Sequence, residues 1–350
     1  MPAAPTVSIA LPVYNGEPYL QQTLDDLLGQ SYGDLELVIC DNASTDATES
    51  VCRAAAAQDR RVRYVRNSAN LGALPNANRA FALARGRFIA LAGHDDRHHP
   101  DFLRRLVGAM EARPDAVLAY GASCVIGPDG EPFAYDAATG TAVGPGGVRV
   151  GRDPALERPL PDDPVARFRA VLRCNDVNAP IHGLFRADAL RRTLPMELSG
   201  SDRYTVARAA LQGPFAFVDA PLFGFRIHPG STAFLTREEW AARETGRADA
   251  APPTLALRTY ARYAGAPRGL GLPAATHVRA SWTAATASLR PHALRNALVP
   301  GPDNYWGLRR WPWQPREAEA PAACPAAPMA SHGPRWAWIG GRGDALLPAV

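Results

Sequence analysis

Two adjacent carboxylates, Asp95 and Asp96, follow the apolar run 88–91 and precede Arg97-His98-His99-Pro100. Paired carboxylates at a strand end can place an oxygen on a hard divalent cation, which in turn holds substrate phosphates. The same pair can instead cap a helix opening after Pro100. The segment Asp41-Asn42-Ala43-Ser44-Thr45-Asp46 also follows an apolar run. It reads either as a capped strand-to-helix turn or as a site where Asp41 accepts a hydrogen bond from a donor such as a pyrimidine imide. His98 and His99 read as surface residues. All 38 basic residues are arginine, with no lysine. That excludes a Walker-A loop and all Schiff-base and pyridoxal-phosphate chemistry.

The elements that must position these groups alternate. Residues 7–13 form a buried strand stopped at Asn15-Gly16, with Asn15 as cap of a helix repeating Leu20, Leu24, Leu27 and Leu28. Strand 35–40 ends at Asp41, and Asp46 with Glu49 has the spacing of a capping box for the next helix. Strand 62–65, helix 74–86 and strand 88–91 follow. Strands alternating with such helices predict a parallel α/β sheet, whose ligands sit beyond the carboxyl ends of the strands. Asp41 and Asp95-Asp96 both lie at such ends. Further on come a helix to about 113, a strand over 117–125, a Gly/Pro-rich loop over 135–162, and a helix over 165–173. Segment 181–186, a helix over 202–212 and strands at 215–218 and 223–227 complete the α/β rhythm.

The 350 residues allow two domains or one large domain with extensions. Hydrophobic residues at 47% and charged residues at 21% exclude disorder throughout. A net charge of +4 is too small for a protein that wraps a polyanion, and no nucleic-acid partner is expected. The five cysteines are scattered and never form CxxC, which fits a reducing compartment. No stretch reaches about 18 uninterrupted apolar residues, and no secretory signal is visible, so a cytoplasmic enzyme is expected. From about 255 to 299 the chain is arginine-rich and helical in character. Five of the seven tryptophans follow residue 305.

Val7-Ser8-Ile9-Ala10-Leu11-Pro12-Val13-Tyr14-Asn15 and Val38-Ile39-Cys40-Asp41-Asn42-Ala43-Ser44-Thr45-Asp46 resemble the opening of family-2 inverting glycosyltransferases of the GT-A fold. So do Asn70-Leu71-Gly72, Asn78-Arg79-Ala80 and Ala84-Arg85-Gly86. The stretch 88–103 resembles the family's strand, acidic metal motif and following helix. Gly200-Ser201-Asp202 resembles its acceptor-side acidic motif, and Phe225-Arg226-Ile227-His228-Pro229-Gly230-Ser231 its late Arg-x-His segment. The match runs over about residues 6–232. Two positions depart from the pattern: Gly93 stands where the common Asp-x-Asp motif has its first Asp, and Ser201 stands where Glu precedes Asp.

The resemblance implies an α/β GT-A domain over 1–235, with a mostly parallel sheet flanked by helices. A helical extension over 236–310 and a partly disordered Pro/Ala/Gly-rich tail over 311–350 would follow. It implies Pro12, Tyr14, Asn15, Asp41, Asn70 and Gly72 at the donor, Mn2+ or Mg2+ on Asp95 with Asp96 or His228 assisting, and Asp202 as general base. Without lysine, arginine must meet the phosphates, and Arg79 and Arg226 are the candidates. At a helix start, the dipole should lower the pKa of Asp202. The activity implied is metal-assisted transfer of a sugar from a nucleotide sugar, UDP-linked by preference, to an acceptor hydroxyl. The alternatives are a non-catalytic nucleotide-sugar binder, suggested by Gly93, and a sugar-phosphate nucleotidyltransferase, which would need a Gly-rich first-strand loop. Segment 255–299 and the tryptophans of 306–313 could dock the chain on an anionic inner-membrane face, or simply cover the back of the sheet.

Overall fold

The computed structural model describes residues 4–174, 176–197, 201–231, 243, 262–263 and 265–288. β1 (Val7–Val13) and β2 (Leu35–Asp41) are apolar along almost their whole length because helices cover both faces. β3 (Val62–Arg66) and β4 (Phe88–Leu91) complete a four-stranded parallel block in the order β3-β2-β1-β4. The connecting helices are α1 (Glu17–Leu28), α2 (Thr48–Gln58) and α3 (Ala73–Leu83). α1 buries Leu20, Leu24 and Leu27 against the sheet, each contributing roughly 1.5–3 kcal/mol.

The second half extends the sheet beyond β4. After β5 (Arg97–His98) and α4 (Phe102–Ala112), β6 (Leu118–Ile126) runs parallel to the long strand β11 (Phe215–Arg226). β10 (Leu184–Arg186) inserts antiparallel between β4 and β6, so the sheet order is β3-β2-β1-β4-β10-β6-β11-β5. α5 (Pro164–Arg173) and α8 (Ser201–Gln212) cover one face, while α1 and α4 pack on the other. Two short helices, α6 (Asn178–Ile181) and α7 (Ala187–Arg191), flank β10.

Several sequence expectations need correction. Segment 135–162 is not a plain loop: β7 (Ala134–Asp136), β8 (Thr141–Val143) and β9 (Arg149–Gly151) form a small antiparallel sheet. Ala142 and Val150 pack with Val125 and Ile227 into a core of their own, too small to register as a hydrophobic run. Asn15 does not cap α1: it sits at φ 51, and Gly16 takes the N-cap position. The Asn15 side chain instead accepts a hydrogen bond from Thr45 N (2.9 Å). The Asp46–Glu49 capping box is absent, since α2 begins at Thr48 and Asp46 accepts from Thr48 N and Glu17 N. The two strands expected at 215–227 are one strand with irregularities at Val218, Pro221 and Phe223. His98 is not a surface residue: it is 1% exposed, held between Phe102 and Phe223. Its pairing with β11 through a two-residue strand is invisible to periodicity.

α9 (Ala274–Ser288), within the expected helical extension, buries Ala280 and Ala284 in the core shared with α5 and turns Val278 and Trp282 outward. The 306–313 tryptophans, residues 255–261, 264 and 289–299, and the tail lie outside the described residues. Among the described residues no helix is long and apolar enough to cross a membrane.

Candidate active site

β4 delivers the turn Gly93-His94-Asp95-Asp96 to the carboxyl edge of the sheet, and the end of β11 brings Arg226, Ile227 and His228 against it. The two carboxylates separate there. Asp96 turns inward, 3% exposed, with Oδ1 accepting from Arg226 N at 2.9 Å. Burial, and then the neighbouring charge of Asp95, push its pKa well above the ordinary value. Asp95 keeps its carboxylate at the edge, with Oδ2 3.0 Å from His228 Nε2. Burial opposes its ionisation, but His94 and the His228 hydrogen bond outweigh that and hold it below the usual carboxylate range.

Arg226 cannot serve as a phosphate contact, because it is 1% exposed and its donors are taken. Nε donates to Asp95 O (2.6 Å), Nη1 to the carbonyls of Gly127 (3.2 Å) and Pro128 (2.6 Å), and Nη2 to Gln22 Oε1 (3.0 Å). The guanidinium also lies 4.6 Å over the Tyr19 ring, which in turn packs 4.7 Å from His228. Arg226 therefore fixes the Asp95 backbone and the loop after β6. The sequence suggests a cation for the ligand, but the residue works as a buried brace.

Gly93 has a physical reason to be glycine. A Cβ there would collide with the Asp96 carboxylate and stand 3.2 Å from Asp95 Oδ1. Restoring the common motif by Gly93→Asp should therefore destabilise the fold by about 1–3 kcal/mol through overpacking. Thermal unfolding checks this; an unchanged Tm would contradict the packing argument.

Asp95 and His228 suit a divalent cation. Octahedral bonds of about 2.1 Å place adjacent ligand atoms roughly 3 Å apart, matching the spacing of Asp95 Oδ2 and His228 Nε2. Gly230 N donates to His228 Nδ1 at 3.2 Å, so ligation through Nε2 would move the ring proton to Nδ1 and cost that contact. Among the described residues no group of three or more His, Cys, Asp or Glu is arranged to hold a metal unaided. Remaining positions would fall to ligand oxygens and water.

The second cluster lies at the carboxyl ends of β1, β2 and β3. Asp41 does not reach into the cleft as a base acceptor, since it is fully buried. Oδ1 accepts from Ser44 N (2.9 Å), and Oδ2 accepts from Tyr64 OH (2.7 Å) and Arg66 Nη1 (2.9 Å). Burial alone would raise its pKa, but these hydrogen bonds hold it down. Asn70 Oδ1 is likewise taken, by Asn42 Nδ2 (2.7 Å) and Gly72 N (2.9 Å), which shapes the turn where Gly72 adopts φ 91. Arg79, on the exposed side of α3, donates to Asn67 Oδ1. Tyr14 is exposed, Pro12 half-buried, and Asn15 N is tied to Ser44 Oγ (3.0 Å). Sequence reasoning missed Asn42, Tyr64, Arg66 and Asn67. The signal was present: Arg66 and Asn67 end β3 as Asp41 ends β2.

Asp202 occupies the first turn of α8. The expected lowering of its pKa is overturned. The surrounding protein withdraws enough water to push the carboxyl up to about 6, outweighing Arg203. Among the described residues it touches neither the Asp95–His228 pair nor the Asp41 cluster.

Comparison with known proteins supports the same reading. Residues 8–136 match the family described as glycosyl transferase family 2. An uncharacterized protein, y4gI of Sinorhizobium fredii, is 42% identical over 118 residues, covering 33% of this chain and 13% of that protein. The putative teichuronic acid biosynthesis glycosyltransferase TuaG of Bacillus subtilis is 33% identical over 129 residues, 37% of this chain and 51% of TuaG. The chain thus spans about half, or less, of these relatives' lengths. Among solved structures, S. aureus TarS 1-349 in complex with UDP-GlcNAc aligns with a TM-score of 0.59 at 16% identity, covering 81% of this chain and 72% of that one. The mannosyltransferase PcManGT of Pyrobaculum calidifontis, in complex with GDP-Man and Mn2+, aligns at 0.50 with 20% identity, covering 85% and 74%. The fold is GT-A, and residues 8–136 carry the likeness to glycosyl transferase family 2.

Proposed function

We propose that this chain is an inverting glycosyltransferase that moves a sugar from a nucleoside-diphosphate sugar, with UDP favoured, to an acceptor hydroxyl in polysaccharide or glycoconjugate synthesis. The observation that carries the proposal is the Asp95–His228 pair at the carboxyl end of the sheet, braced by buried Arg226 inside a family-2 domain. Asp95 and His228 would hold Mn2+ or Mg2+, and such an ion stabilises the charge that develops on a departing diphosphate. TarS was solved with UDP-GlcNAc and PcManGT with GDP-Man and Mn2+, which favours a nucleotide-sugar donor and a divalent ion here.

The chain's own residues supply the rest. The Asp41 network sets Arg66 and the Asn70–Gly72 turn as a rigid rim for the nucleotide. Asp202, ionised above about pH 6, takes the proton of the acceptor hydroxyl. That oxygen attacks the anomeric carbon while the bond to the diphosphate oxygen breaks, inverting the configuration. The transfer domain would run to about residue 235, with α9 packed onto its core through Ala280 and Ala284. Mass spectrometry of a nucleotide-sugar panel incubated with the protein and Mn2+ tests the reading: at least one donor should lose its sugar. A panel left intact would favour a non-catalytic binder.

The proposal includes a cytoplasmic location with peripheral contact at the inner membrane face. Val278 and Trp282, 67% and 72% exposed one turn apart on α9, support it. The protein should sediment with anionic liposomes and a Val278→Ser/Trp282→Ser variant, which leaves buried Ala280 and Ala284 in place, should not; equal sedimentation removes the membrane contact.

A further inference from the structure

His182 follows α6 and has no part in the chemistry above. Its ring stacks on Phe223 at 4.5 Å and 20°, and Phe223 packs in turn against buried His98 at 5.5 Å. Nδ1 lies 3.1 Å from the carbonyl oxygen of Leu91, the last residue of β4. A carbonyl oxygen only accepts, so Nδ1 carries the proton and Nε2 is left as a bare acceptor. Burial pushes the ring's pKa down to about 4, so it stays neutral at physiological pH. The ring is half-buried, and Nε2 has no hydrogen-bond partner among the described residues. Asp95 and Asp176 both lie near enough to act on it electrostatically.

We infer that His182 Nε2 accepts a hydrogen bond from a hydroxyl or amide N–H of the donor's sugar, making His182 a specificity-determining residue. The inference rests on the nucleotide-sugar reading. An acceptor-only atom repels phosphate oxygens and selects groups that donate, which a sugar carries and a diphosphate does not. Its anchor at Leu91 stands four residues before Asp95, where the diphosphate would be held. The sugar joined to that diphosphate must lie beside it, and a fixed tautomer at such a point discriminates by leaving an acceptor unpaired when the hydroxyl is missing.

The test is calorimetry, with Mn2+, of UDP against UDP-glucose, UDP-galactose and UDP-N-acetylglucosamine. The readout is the affinity that the sugar adds to UDP. His182→Phe keeps the stack on Phe223 and removes the acceptor; it should cut that gain by about tenfold while UDP itself binds as before. His182→Gln, which can still accept, should restore most of it. A gain that survives in H182F overturns the inference, as does a fall in UDP affinity equal to the loss for the sugars. If the wild type binds the donors and H182F loses nothing, this inference alone fails. If the wild type binds no donor more tightly than UDP, the donor reading fails with it.

Discussion

Asp202→Asn is expected to lower kcat by about 10²–10⁴ while nucleoside-diphosphate binding stays unchanged. Asn matches Asp in size, so α8 should keep its first turn, but the amide cannot take a proton. The raised pKa makes the expectation sharper than a helix-dipole argument would. A carboxylate with a pKa of about 6 is ionised at neutral pH yet more basic than an ordinary aspartate, so it suits proton abstraction. The rate should therefore fall about tenfold per pH unit below about 6, and this limb should vanish in the residual activity of the Asn variant. Stability moves the other way. A carboxyl whose folded pKa is raised contributes stability at low pH that is lost as pH rises through about 6. At pH 8 the Asn variant should thus lose no Tm. A variant that turns over at the wild-type rate would show that Asp202 only begins a helix; one that unfolds early would show a structural role.

Asp95→Asn should behave differently, weakening donor binding rather than sparing it. Asn can still accept from His228 Nε2, so the pair and the turn above it should persist. The charge that would hold a divalent ion is gone. Metal stabilisation of a diphosphate is worth several kcal/mol, so kcat/KM should drop by at least about 10²-fold. Calorimetry should give the variant one UDP affinity whether Mn2+ or EDTA is present, where the wild type gives two. Equal affinities in the wild type would remove the metal from the account. The contrast with Asp202→Asn matters: one variant loses binding, the other loses only the chemical step.

Much of the fold is legible in the sequence because β1, β2 and β4 are buried on both faces and so appear as short apolar runs that lead into polar residues. Asp41 and Asp95 stand out for that reason. The sequence does not reveal which way each side chain turns once the strands pair. Asp96 looks like the partner of Asp95, but Arg226 N, 130 residues away, turns it inward. Arg226 itself reads as a free cation, and only the loop after β6 and Gln22 show its donors to be spent. Asp41 reads as a ligand contact, and Tyr64 and Arg66, brought alongside by β3, turn it into an anchor. In each case the deciding neighbour comes from an element distant in sequence, and single-strand patterns carry no trace of it. The three-stranded insertion was hidden for a related reason: its core holds two residues of its own, Ala142 and Val150.

The central claim is that this chain releases a nucleoside diphosphate from a nucleotide sugar with a divalent ion at Asp95 and a base at Asp202. Its most direct measurement is the rate of nucleoside-diphosphate release from the donor identified in the panel, with Mn2+ and with EDTA. The account predicts release by the wild type in Mn2+, a loss of at least about 10²-fold in EDTA or in Asp95→Asn, and a comparable loss in Asp202→Asn that added Mn2+ does not restore. Release that is equally fast in EDTA, or unaffected in both variants, would contradict it.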